Sequence, residues 1–121
     1  MVLDTNILIA YLGGDKAATE PVDYWFVNNA VLFISAVTYT EVLALPEASE
    51  SDLVKIRQFL SNFILIDVDK QIAEGTALLK RKYKLKFPDA AVAATAKYLE
   101  VSLVTRDKQL GKVKEITIVK I

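Results

Sequence analysis

The sequence predicts an α/β sandwich, a parallel sheet with helices packed against it. Short apolar runs alternate with longer stretches of helical periodicity. That strand–helix–strand order builds parallel sheets through right-handed crossovers. Most of the short runs are apolar on both alternations, as strands covered on both faces must be. The chain has 121 residues, 53% of them hydrophobic. That length suits a single domain over residues 1–121, and the composition fills a core that buries roughly two thirds of the unfolded surface.

The expected strands are Met1–Asp4, Val31–Ser35, Phe63–Val68, Ser102–Thr105 and Ile116–Ile121. Thr5–Leu12 reads as a helix closed by Gly13-Gly14. A second helix is expected to start near Pro21, a residue suited to the first helical position, and to run through Tyr24-Trp25-Phe26. The stretch Tyr24 to Val27 is too aromatic to be wholly exposed, so it belongs to the core or to an interface. Val37–Leu45 is helical and stopped by Pro46. Ser49-Glu50-Ser51-Asp52 resembles a capping box for a helix reaching about Asn62. Asp69–Tyr83 carries Ile72, Thr76, Leu79 and Tyr83 on one helical face. Pro88–Leu99 is so rich in Ala that it can lie very close to a sheet.

What is absent narrows the chemistry. There is no Cys, so disulfides, thiolate nucleophiles and thiolate metal sites are excluded. There is no His, which removes the commonest general base and transition-metal ligand. Fifteen cations balance fifteen anions, which argues against coating nucleic acid by bulk charge but leaves room for a local basic patch. No signal peptide is visible. The longest apolar run, from Ala30 to Val37, is too short for a membrane span of ~20 residues. A cytoplasmic protein with no membrane partner is expected.

Ligand sites of parallel sheets lie beyond the carboxyl ends of the strands. Asp4 falls there after the first strand and Asp107 after the fourth. Asp89 opens the Ala-rich helix, and Glu41 lies among Val37, Val42 and Leu45 in the helix after the second strand. Each has an ordinary reading. Asp4-Thr5-Asn6 supplies good N-cap residues, Asp89 complements a helix dipole, and Asp107 can cap a turn. Glu41 is harder to dismiss, because a buried carboxylate is costly unless paired or bound to a metal. If all four meet at one sheet edge, they repel unless a cation joins them, and hard oxygen ligands select Mg²⁺ or Mn²⁺. Such an ion activates water and stabilises charge on a phosphodiester. Asp69 reads as an N-cap, and Asp15, Asp23 and Asp52 as solvent-facing.

The run from Lys80 to Lys86 holds five cations: Lys80, Arg81, Lys82, Lys84 and Lys86. They either complement a helix C-terminus or contact phosphates beside Asp89.

The segments "LDTNILIAYL", "ISAVTYTEVLAL" and "FPDAAVAATAKYLEVSLVTRDKQL", with the closing strand, resemble the PIN-domain nucleases. In particular they resemble the small VapC-type toxin ribonucleases of prokaryotic toxin–antitoxin pairs. The segments come in the family's order and cover nearly the whole chain. The resemblance implies a PIN-like sandwich with a central, mainly parallel five-stranded sheet and helices on both sides. It implies an acidic quartet of Asp4, Glu41, Asp89 and Asp107, supported through hydrogen bonds by Thr5, Asn6 and Thr105. It also implies a homodimer and an antitoxin whose tail covers the active site. Leu110 stands where the family often has an aromatic residue.

The resulting expectation is a metal-dependent endoribonuclease acting on RNA. Asp4 and Asp89 are expected as direct ligands of Mg²⁺ or Mn²⁺, and Asp107 as a ligand directly or through water. Glu41 would orient or deprotonate the attacking water. A silent PIN-like module that binds RNA or protein without cutting is the alternative, and the intact quartet argues against it. A phosphorylated receiver-type domain would want an acid pair after the first strand, where this chain has Asp4-Thr5-Asn6.

Overall fold

A computed structural model describes all 121 residues, Met1–Ile121. Five strands, β1 (Val2–Leu3), β2 (Phe33–Ser35), β3 (Ile64–Ile66), β4 (Leu103–Val104) and β5 (Ile118–Val119), form one sheet in the order β3-β2-β1-β4-β5. Every pairing is parallel, so the sheet is wholly rather than mainly parallel. The strands are shorter than the apolar runs that announced them.

Alternation along β1 and β4 divides the core. Val2 pairs with Leu103, and both enter a cluster with Ile72, Leu79, Ala90 and Leu110. Leu3 pairs with Val104, and both face the other way, into a cluster with Ile7, Leu8, Val22, Ile34 and Phe63. One-residue alternation thus gives the sheet two apolar faces, and each is covered by helices.

On the second of these faces lie α1 (Thr5–Leu12), α2 (Lys16–Val27), α3 (Ala36–Leu43) and α4 (Glu50–Leu60). The first is covered by α5 (Lys70–Tyr83) and α6 (Phe87–Leu99). Ala90 through Ala96 are all buried, as expected for a helix whose small side chains allow close approach. In α5 the predicted face holds: Ile72, Thr76 and Leu79 are buried and Tyr83 half-buried. The Ser49–Asp52 capping box is complete.

Two helix boundaries need correction. Helix α2 starts at Lys16 rather than near Pro21, because Asp15 accepts the Ala17 N–H and caps it. Pro21 therefore sits in the second turn, where its missing N–H interrupts one helical hydrogen bond. Asp15 and Asp52 face solvent as expected, and each also bonds a backbone N–H at a helix start. Helix α3 ends at Leu43, ahead of the residues next to Pro46. Within α2, Trp25 and Phe26 pack against the second cluster, whereas Tyr24 is 66% and Val27 80% exposed.

Candidate active site

Asp4 leaves the sheet between its central strands. Its N–H bonds the Val104 carbonyl at 2.9 Å, so the parallel ladder holds its backbone. It is also the N-cap of α1, and its Oδ1 accepts the Thr5 N–H at 2.8 Å. Its Oδ2 accepts from the Thr105 hydroxyl at 2.7 Å and from Asn6 Nδ2 at 3.3 Å. The cap and the site readings of Asp4-Thr5-Asn6 are therefore not exclusive.

Thr105 is the junction. Fully buried after β4, its oxygen also accepts the Asp107 N–H at 3.0 Å and approaches Asn6 Nδ2 at 3.3 Å. Asp107 in turn accepts the Gln109 N–H at 2.8 Å. The Arg106 N–H between them bonds Asn6 Oδ1 at 3.3 Å.

Thr5 supports two of the four acids through different groups. Its backbone, not its hydroxyl, holds Asp4; the hydroxyl donates to Glu41 Oε1 at 2.6 Å. Glu41 is thereby turned from α3 toward the start of α1.

The four acids feel one another. Burial pushes the Asp4 carboxyl above the usual range, the Thr105 and Thr5 hydrogen bonds oppose it, and the charges of Asp107 and Glu41 add to the rise. Burial pushes Asp89 up to about 6, helped by the charges of Asp107, Asp4 and Glu41 and by a hydrogen bond with Asp107. Asp67 and Asp69 take no part; Asp69 caps α5 through the Ile72 N–H.

No ion pair relieves this repulsion. The two ion pairs of the molecule, Lys82–Glu115 and Arg106–Asp15, leave all four acids unpaired. Yet no three acids are drawn to the spacing that encloses an ion outright. The donor set is all hard oxygen, which suits Mg²⁺ or Mn²⁺.

The basic run is divided. Lys84 and Lys86 line a cleft of about 400 Å³ together with Leu85, Asp89, Asp107 and Gln109. Lys84 adopts a left-handed backbone, φ 55°, which ends α5 and turns the chain. Lys80 and Arg81 are exposed on the last turns of α5. Lys82, 62% exposed, bonds Glu115 at 3.3 Å outside the cleft. Gln109 and Thr38 were missed in the sequence, where nothing separates them from ordinary loop and helix residues.

The sequence model of the PIN domain matches residues 1–116. The chain belongs to the PIN-domain family. PIN domains are generally nucleases that use divalent metal ions. Among solved structures, a chain of a toxin–antitoxin complex from Klebsiella pneumoniae is 32% identical, with a TM-score of 0.84 over 98% of this PIN domain and 94% of its own length. A chain of DNA-bound VapBC from Salmonella typhimurium is 25% identical, with a TM-score of 0.80 over 98% and 96%. VapBC2 from Rickettsia felis, bound to a promoter DNA fragment, shares the fold at 18% identity, with a TM-score of 0.84 over 99% and 97%. No curated protein sequence matches the chain significantly. No helix is long and apolar enough to cross a membrane.

Proposed function

We propose that this PIN domain, spanning residues 1–121, is a metal-dependent endoribonuclease that hydrolyses RNA phosphodiesters. The observation that carries the reading is a cluster of four mutually repelling carboxylates, none of them neutralised by an ion pair. Asp4, Asp89 and Asp107 would hold the metal. When bound, Mg²⁺ or Mn²⁺ supplies positive charge for the phosphate and acidifies coordinated water. Glu41 accepts the proton of the water that attacks phosphorus, as the bond to the leaving oxygen breaks. Thr105, Asn6 and the Thr5 N–H fix the Asp4 carboxylate, so little orientation is lost on binding. Lys84 and Lys86 contact backbone phosphates at the rim of the cleft, with Lys80, Arg81 and Lys82 as outer contacts.

The 32% identity to a chain of a toxin–antitoxin complex supports a role as the toxin of such a pair, a homodimer in the cytoplasm held in check by an antitoxin. The exposed apolar residues Tyr24 and Val27 of α2 suit an interface with a partner.

Cleavage of a mixed RNA pool, with Mg²⁺, with Mn²⁺ and with chelator, tests the reading. Wild type is expected to cut only with metal, and Asp89→Asn not at all. An RNA pool left intact with either metal, or cut equally by Asp89→Asn, would favour the silent binding module instead.

A further inference from the structure

The charges of this neutral chain are not evenly spread. Residues 1–79 hold four cations and eleven anions, and residues 80–121 hold eleven cations and four anions. The fold keeps the two parts in different places. The acidic part supplies the whole layer α1–α4, and the basic part supplies α6, β4 and β5. The acid cluster lies on the seam. Asp4 and Glu41 come from the acidic part, Asp89 and Asp107 from the basic part.

Two segments concentrate the positive charge. Residues 80–86 carry five cations, and residues 108–114 carry Lys108, Lys112 and Lys114, with no acid in either. Each segment is pinned by apolar residues and turns its cations outward. Leu85 is buried between exposed Lys84 and Lys86, and Leu110 and Val113 are buried among exposed Lys108, Lys112 and Lys114. All three apolar side chains enter the same cluster, so one core holds both segments. Tyr83 fastens them further. Its hydroxyl donates to the Glu115 carboxylate and accepts the Lys114 N–H at 3.1 Å. Lys82 is paired with the same Glu115 at 3.3 Å, and no ion pair engages the other seven cations. The cleft beside Asp89 and Asp107 is lined by Lys84 and Lys86 from the first segment and Gln109 from the second.

Like charges gathered in this way repel and cost the folded chain stability. The helix dipole accounts for Lys80, Arg81 and Lys82 in the last turn of α5. It does not account for Lys108, Lys112 and Lys114, which lie on a connection whose only regular structure is the 3-10 turn Leu110–Lys112.

We propose that residues 108–114 form, together with residues 80–86, a single RNA-docking surface that holds the strand on the basic side of the active site and away from the α1–α4 layer. The cations take the place of counterions along the phosphates, and the release of those counterions supplies affinity. The acidic layer repels the same strand, so the two parts of the molecule orient it together. An acidic polypeptide would meet the same charge. The surface runs into the cleft of Asp89 and Asp107, however, and there the anion that the reaction requires is a phosphodiester. The proposal rests on RNA being the target and extends the contacts to a part of the chain outside the Lys80–Lys86 run.

The test measures binding apart from cleavage. The full chain carrying Asp89→Asn, in chelator, is titrated with a labelled single-stranded oligoribonucleotide at several salt concentrations. Each phosphate contact removed lowers the slope of log affinity against log salt by about 0.7 on a single strand. Lys112→Gln with Lys114→Gln should therefore lower it by about 1.4, and Lys84→Gln with Lys86→Gln by as much. All four together should lower it by about 2.8, because one strand spans both segments. Lys16→Gln with Lys55→Gln removes the same charge from the α1–α4 layer and should leave the slope unchanged. Every lysine changed is exposed, so the variants keep the fold. In the chain with Asp89 intact and metal present, Lys112→Gln with Lys114→Gln should raise KM and leave kcat as it was, the mark of binding shared by ground and transition states. An unchanged slope in that pair overturns the proposal, and so does an equal loss in the Lys16 and Lys55 pair. Duplex DNA or polyglutamate bound more tightly than the RNA through the same lysines overturns the choice of partner. If wild type cuts no RNA with metal while the binding losses are found, the nuclease reading falls and the docking surface stands.

Discussion

Asp4 and Asp15 do the same local job in opposite company. Each is the N-cap of a helix, and each accepts a backbone N–H at the helix start, at 2.8 and 2.9 Å. Asp15 stands in solvent with the Arg106 guanidinium 2.8 Å away, and that bond holds its carboxyl below the usual range. Asp4 is 5% exposed, has no cation, and shares its pocket with three other acids that help burial push it up. Capping therefore says nothing about function. What separates these two acids is that the fold supplies a counter-charge to Asp15 and neighbouring acids to Asp4.

The largest effect that sharpens this contrast is on cleavage. Asp4→Asn keeps a capping side chain but removes the charge, and should lower the RNA cleavage rate by about 10²–10⁴-fold, the scale of losing a group that acts in the transition state. Asp15→Asn should leave the rate within a few-fold of wild type. Initial rates on one substrate decide it, and equal losses in both variants would erase the distinction.

Metal comes next. A ligand that binds only the folded state stabilises it by about 2.7 kcal/mol at a hundred times its dissociation constant. Melting curves should show that gain for wild type in Mn²⁺ or Mg²⁺, much less of it for Asp89→Asn, and the wild-type gain in Asp15→Asn.

Acidity gives a smaller effect, with opposite signs at the two places. In chelator, Asp89 has a folded-state pKa of about 6 against an ordinary 3.8. A raised pKa means that the folded protein binds the proton more tightly. The stability it contributes is full below pH 3.8 and is lost as pH rises through about 6. Asp89 is partly exposed, so solvent screening cuts this to about 1 kcal/mol. Asp15, held low, contributes stability that is present above its ordinary pKa and lost as pH falls. Denaturant midpoints between pH 4 and 7 should therefore rise toward acid relative to Asp89→Asn. A flat difference between the two proteins would mean that the pocket is wetter or its acids farther apart.

The smallest effect concerns the ion pair. Arg106→Gln leaves Asp15 unpaired at an exposed position, so the melting point should fall less than in either preceding comparison.

Much of this arrangement is legible in the sequence because it depends on the chain's order. Apolar runs mark the strands, and strand ends mark where Asp4 and Asp107 emerge. The Ala-rich α6 follows from composition, and the Asp69 and Ser49 caps from local residue types. Features decided by partners distant in sequence are not legible. Pro21 suggested a helix start because proline suits the first turn, but the Asp15 cap lies six residues ahead of it. Thr38 and Thr40 look alike in "TYT", and only the approach of α1 gives one of them a side-chain partner. Lys82 and Lys84 look equivalent until the left-handed turn at Lys84 sends one to Glu115 and the other to the cleft.

The bond between Thr105 and Asp4 spans 101 residues. Its partner strands, β1 and β4, are neighbours in the sheet but nearly a whole chain apart in synthesis. At translation speeds of about 5–20 residues per second, a ribosome needs about 5–20 s to travel from one to the other. Throughout that interval the growing chain carries Asp4 without Asp107 or the hydroxyl that clamps Asp4. A fragment that ends before β4 therefore lacks Asp107 and Thr105 and has no complete pocket. The pairing of β1 with β4 thus defers the meeting of the four acids until β4 has been made.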